Sequence, residues 1–143
     1  MKLSEHFELS EFTRSETAAN LGIDNTPNLE IIANLTKTAS MLLEPARVLL
    51  GNKSIRVTSG YRCLALNRAI RSLDTSAHVR GMAADFVCPD FGTPLEICRV
   101  LEGKLPYDQL IFEFGSWVHI AWDPRQRGQM LTIDASGTRF GLG

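Results

Sequence analysis

The stretch Gln109-Leu-Ile-Phe-Glu113-Phe-Gly115-Ser-Trp117-Val-His119-Ile-Ala-Trp122 decides the reading of the fold. Leu110, Phe112 and Phe114 alternate with Gln109, Ile111 and Glu113, and Val118, Ile120 and Trp122 alternate with His119 and Ala121. A period of two marks a half-buried strand, whose successive side chains point to opposite faces. Two such runs joined by a glycine-containing turn read as an antiparallel hairpin. Matching the apolar faces pairs Phe114 with Val118 and Phe112 with Ile120, because a one-residue slip would turn the core set outward. That register leaves the three-residue loop Gly115-Ser116-Trp117, a common hairpin length. It also sets Glu113 directly opposite His119, with β-carbons about 4.5 to 5.5 Å apart.

Working outward, Ala83-Ala-Asp85-Phe-Val87 reads as a buried strand, and Ser54-Ile-Arg-Val-Thr58 alternates before ending at Ser59-Gly60. Thr26-Pro27 caps a helix to about Leu50. Its apolar stripe is Ile32, Leu35, Ala39, Leu42, Ala46 and Leu49, with Pro45 as a kink point. A second helix spans about Cys63 to Ile70, and Thr93-Pro94 caps a third to about Glu102. The aperiodic stretch Ser72 to Met82 is a loop, residues 4 to 24 give short helices around a loop, and Met130 to Ile133 offers a further strand. The fold class is therefore α+β, a small antiparallel sheet flanked by helices. A chain of 143 residues sustains one core. It divides into a helical segment 1–25, a core 26–134 and a frayed tail 135–143.

Chemistry concentrates in Ser76-Ala-His78-Val-Arg-Gly81-Met-Ala83-Ala-Asp85. Glycine between His78 and Asp85 lets the loop fold back so that the two side chains converge, and nitrogen and oxygen donors of this kind suit zinc. Asp85 interrupts an apolar strand, and a buried carboxylate without a partner costs several kcal/mol, so something cationic should meet it. His119, on the non-core face of its strand, is the third candidate ligand. Three protein ligands leave a zinc position for water, whose proton a nearby carboxylate must take and return. Glu113 is placed for that role.

These residues resemble a known family, the zinc D-Ala-D-Ala carboxypeptidases and L-alanyl-D-glutamate endopeptidases that cleave peptidoglycan. The family pattern Ser-x-His-x-x-Gly-x-Ala-x-Asp, followed by Trp-x-His, is matched at every fixed position by Ser76 to Asp85 and by Trp117-Val-His119. Phe7-Glu-Leu-Ser-Glu-Phe12, Ser15-Glu-Thr-Ala18, Leu43-Glu-Pro-Ala-Arg47 and Thr58-Ser-Gly-Tyr-Arg62 are also similar to its small phage and prophage members. The resemblance implies one zinc ion on the sheet face, held by His78, Asp85 and His119. It further implies that Arg62 binds substrate and steadies the oxyanion, and that Ser76 helps hold the substrate or its own loop. Several members carry the catalytic acid three residues before the last histidine, where this chain has Ser116. Glu113 stands six before, a spacing similar to that of the hedgehog signalling domain, which shares the zinc site.

Composition sets the context. Fifteen basic against 16 acidic residues give no electrostatic footprint for nucleic acid or an anionic membrane. No run approaches a membrane span, and the start MKLSEHFELSEF has no secretory apolar stretch. The expectation is a protein made in the cytoplasm that reaches the cell wall after release, or is carried on a virion. Cys63, Cys88 and Cys98 form no CxxC pair and read as free thiols. The expected function is zinc-dependent hydrolysis of an amide bond in a peptidoglycan stem or cross-bridge peptide by a phage or prophage endolysin, with a monomer as the expected state. The alternative is a non-catalytic zinc-containing module that grips a wall peptide or a protein.

Overall fold

Strands β1 (Lys2–Ser4) and β2 (Phe7–Glu8) open the chain in the computed structural model, which describes residues 1–142. They pair antiparallel where the sequence suggested helical turns only, and they bury Leu3 and Phe7. Two short helices follow. In α1 (Leu9–Thr13) Glu8 and Glu11 form a capping box, and in α2 (Glu16–Leu21) the Ser15 hydroxyl accepts from the Ala18 N–H.

Helix α3 (Leu29–Thr38) starts later than expected. Its cap is Asn28, whose side chain accepts from Ile31 N at 2.9 Å, because the Thr26 hydroxyl is committed to Asp24 at 2.6 Å. The helical path continues through a π turn, Ala39–Leu43, into α4 (Glu44–Leu49). Pro45 has no N–H to donate, so the ladder closes with a wider turn there. The extra residue in that turn rotates the apolar stripe: Leu43 and Leu50 are fully buried, while Leu49 is exposed.

The remaining elements are β3 (Arg56–Ser59), α5 (Leu64–Ala69), β4 (Ala83–Val87), α6 (Pro94–Leu101), β5 (Gln109–Glu113), β6 (Trp117–Ala121), β7 (Gln129–Asp134) and β8 (Gly137–Phe140). The protein is α+β as expected, but the sheet is neither small nor purely antiparallel. It has six strands in the order β3-β4-β6-β5-β7-β8, with β5 and β7 parallel. Leaving β6, the chain passes over the end of β5 and re-enters the sheet on its far side. The loop is pinned there by Asp108, whose carbonyl and carboxylate accept from Gln129 N and Arg127 N at 2.9 and 2.8 Å. The segment expected to fray instead supplies β8, paired with β7 but exposed along its length. Gly143 lies outside the described residues.

The β5–β6 hairpin corrects the expected register by two residues. Glu113 faces Trp117, Ile111 faces His119, and Phe112 faces Val118. A two-residue slip preserves both faces, which is why face matching could not detect it. Phe114, assigned to the strand from its hydrophobicity, belongs to the turn. Phe114 and Gly115 both have positive φ (53° and 65°), and the Ser116 N–H donates to Glu113 O at 3.0 Å.

One face of the sheet is the core. Val57, Ala84, Phe86, Leu110, Val118 and Ile120 pack with Phe12, Leu35, Leu42, Ile97 and Leu101 from the helices. Full burial of each larger aliphatic or Phe side chain is worth about 1.5 to 3 kcal/mol. The other face, with Asp85, Ile111, Glu113 and His119, is left for a different purpose.

Candidate metal centre

Asp85 and His119 are direct cross-strand partners on β4 and β6. His78 comes from the loop above them, in a 3-10 turn, Ala77–Arg80. The Ser76 hydroxyl caps that turn by accepting from His78 N at 3.3 Å, and Gly81 ends it in the left-handed conformation (φ 72°). The loop is fastened to α3: Asn34 Nδ2 donates to Arg80 O at 2.8 Å and Thr38 Oγ1 to Gly81 O at 2.9 Å. A β-carbon at Gly81 would meet Ile31 O at 3.0 Å.

The three side chains converge, with one donor atom from each within 4.8 Å of the others. His78 Nε2 and His119 Nδ1 lie 3.1 and 2.9 Å from the same oxygen, Asp85 Oδ1, and the two imidazoles meet edge to face at 5.1 Å. His78 is oriented from behind: its Nδ1 lies 2.6 Å from Gly60 O. A carbonyl only accepts, so Nδ1 carries the proton and Nε2 presents its lone pair to Asp85. A lone pair facing a carboxylate calls for a cation between them, and zinc suits two imidazoles and a carboxylate. The donor set therefore fits a single zinc ion.

The electrostatics agree. Burial is the largest influence on Asp85 and raises its pKa, but the two histidines that face it outweigh burial and hold the carboxyl well below its ordinary range. Burial dominates for His78, lowering its pKa and favouring the neutral ligand form. For His119 burial again lowers, but the Asp85 hydrogen bond and charge, with Glu113, reverse the sign to a net rise.

Glu113 reaches the same place by a different route than direct opposition. From its position diagonal to His119 its Oε1 lies 3.8 Å from His119 Nδ1. Burial raises its pKa above the ordinary glutamate value, opposed by His119 and Arg62. The buried Trp117 indole N–H lacks a hydrogen bond of good geometry, yet it faces the Glu113 carboxylate closely enough to lower that pKa.

Arg62 extends over the site from the turn after β3. Its Nε donates to Asn67 Oδ1 at 3.0 Å, Nη1 to Ser59 Oγ at 3.2 Å and Nη2 to Ser76 Oγ at 3.4 Å. Two of its five N–H groups remain for another acceptor. Burial lowers its pKa, while Asp85 and Glu113 act in the opposite sense. Ser76 thus holds both the His78 turn and Arg62.

Two residues that the sequence did not single out complete this support. Gly60 supplies the carbonyl behind His78 and admits no side chain, since a β-carbon would lie 2.6 Å from the Phe12 backbone. Asn67 is a fully buried polar residue in an otherwise aliphatic helical turn, the one signal that could have marked it.

A cavity of about 550 Å³ opens above the ligands, bounded by Arg62, Arg71, Ser76, Glu113, Phe114 and Trp117. A second, of about 330 Å³, shares Ser72, Ser76, Glu113 and His119 with it and runs on past Ile111, Arg80 and Arg127. Meeting at these four residues, the two cavities make one cleft with Glu113 and His119 at the join.

A family model described as Peptidase M15 matches residues 5–121, a span that holds His78, Asp85, His119, Glu113, Arg62 and Ser76. No curated protein matches the chain.

Proposed function

The chain belongs to the peptidase M15 family, and from that premise we propose that it is a zinc-dependent peptidase of the phage or prophage endolysin kind, cutting an amide bond within peptidoglycan peptides. The observation that carries this reading is the convergence of His78, Asp85 and His119 with Glu113 at 3.8 Å from His119.

His78, Asp85 and His119 would hold the ion, and zinc bound there supplies a Lewis acid and a water acidic enough to lose its proton near neutral pH. Glu113 takes that proton on its carboxylate and returns it to the departing nitrogen, a role for which a pKa raised by burial is suited. Arg62, already anchored by three hydrogen bonds, turns its two spare N–H groups toward the carbonyl oxygen as negative charge develops. Ser76 keeps Arg62 and the His78 turn in register. A cleft that continues on both sides of Glu113 and His119 supports cleavage inside a peptide, so we favour endopeptidase over carboxypeptidase action.

The test is zinc content together with muropeptide release from isolated peptidoglycan, comparing wild type with Glu113→Ala. One zinc in both proteins and cleavage by wild type alone supports the enzyme, and fragment masses then name the bond. Zinc in both proteins with no release from several wall types would point to a binding module, and absence of zinc would sink either reading.

A further inference from the structure

Helix α5 ends in a form that usually selects glycine. Arg71 N–H donates to Arg68 O and Ser72 N–H to Asn67 O, both at 3.0 Å, and Arg71 itself is left-handed with φ 62°. This chain places glycine at other such helix ends, Gly22 after α2 and Gly81 after the His78 turn. A side chain in that conformation is costly, and where it persists it commonly marks a functional site. Arg71 lines the cavity above the metal ligands. Its guanidinium has no hydrogen bond or ion pair among the described residues, in contrast to Arg62. Phe114 lines the same cavity, another left-handed residue without a glycine's freedom, with its ring 5.6 Å from that of Trp117.

We propose that Arg71 is a specificity-determining residue that pairs with a free carboxylate of the substrate peptide, in a subsite walled by Phe114 and Trp117. This rests on the peptidase reading above. The two carboxylates in the cavity, Asp85 and Glu113, are engaged with histidines, so the unpaired cation faces the space a peptide would fill. A guanidinium supplies a planar pair of donors that match a carboxylate.

The experiment uses zinc-loaded protein and two synthetic stem peptides, identical except that the carboxylates are free in one and amidated in the other. Wild type is expected to prefer the free acid by about tenfold in kcat/KM, chiefly through KM. Arg71→Gly should abolish the preference while Tm holds or rises, because glycine suits the left-handed backbone, and Arg71→Lys should retain part of it. An unchanged preference in Arg71→Gly overturns the proposal, as does a lost preference accompanied by lower Tm and lower zinc content. If wild type cuts neither peptide, the peptidase reading fails and the subsite is read by equilibrium binding of the same peptides. Tighter binding of the acid form by wild type but not by Arg71→Gly supports the subsite, and equal binding by both overturns it.

Discussion

Two pairs of carboxylates border the cleft, and the protein treats them differently. Asp108 and Asp123 are closed by arginine: Arg127 grips Asp108 at 2.7 and 3.0 Å, and Arg125 grips Asp123 at 3.0 and 3.2 Å. Asp85 and Glu113 have only histidines within ion-pair distance, at 2.9, 3.1 and 3.8 Å. Arginine is permanently charged and completes a carboxylate's coordination. Histidine at neutral pH leaves that coordination open to another cation. The arginine-closed pair holds a loop, and the histidine-faced pair is left open to the ion and the proton of the mechanism proposed above.

That contrast can be broken by mutation. The largest effect is expected at the open pair. Glu113→Ala should lower peptide cleavage by about 10²- to 10⁴-fold with zinc retained, as read by muropeptide release. Asp85→Asn should weaken zinc binding by more than about 100-fold, measured by competition with a chromophoric chelator. If either substitution unfolded the protein while leaving the residual native fraction fully active, the distinction would collapse.

Gly60→Ala tests whether support from behind matters as much as the ligands. It should cost about 1 to 3 kcal/mol in denaturant unfolding through its clash with Phe12, and it should also weaken zinc binding. Asp108→Asn should behave in the opposite way, costing about 1 to 2 kcal/mol after allowance for the solvent reaching Arg127, with zinc affinity unmoved.

A pH titration of the metal-free protein sharpens the comparison further. The Arg125 hydrogen bond is the main influence depressing the Asp123 carboxyl, which falls to about 2 from its ordinary 3.8. A depressed acid contributes stability above its unfolded pKa and loses it as pH falls through the folded one. Stability from this pair should therefore be intact above about pH 4 and disappear toward pH 2. Asp123→Asn should flatten that part of the curve. The smallest change is predicted for Asp74→Asn, which removes an exposed pair with Arg68 and should leave Tm within about a degree.

The open pair was largely readable from sequence and the closed pair was not. Asp85 announced itself by breaking an apolar strand, and His119 by standing on the polar side of an alternating one. Glu113 was reached through a register two residues out, because alternation fixes which face a residue occupies but not how far along the partner it sits. Phe114 misled for a physical reason: its hydrophobicity reads as core, yet a positive φ puts it in the turn with half its surface exposed. The parallel placement of β7 and the pairing of β8 depend on how residues 122 to 128 cross the end of β5, and no periodicity encodes a crossover. Arg71 was equally silent, since a left-handed residue is signalled by glycine or asparagine and here carries neither.

The Gly60 carbonyl ties the metal centre to the start of the chain. Phe12 O accepts from Tyr61 N at 2.7 Å and crowds Gly60, whose own carbonyl fixes the His78 ring, while His119 arrives more than a hundred residues after Phe12. The orientation of one candidate ligand thus depends on the packing of the amino-terminal segment. A metal held by His78, Asp85 and His119 would report on that packing, and metal uptake would serve as its readout.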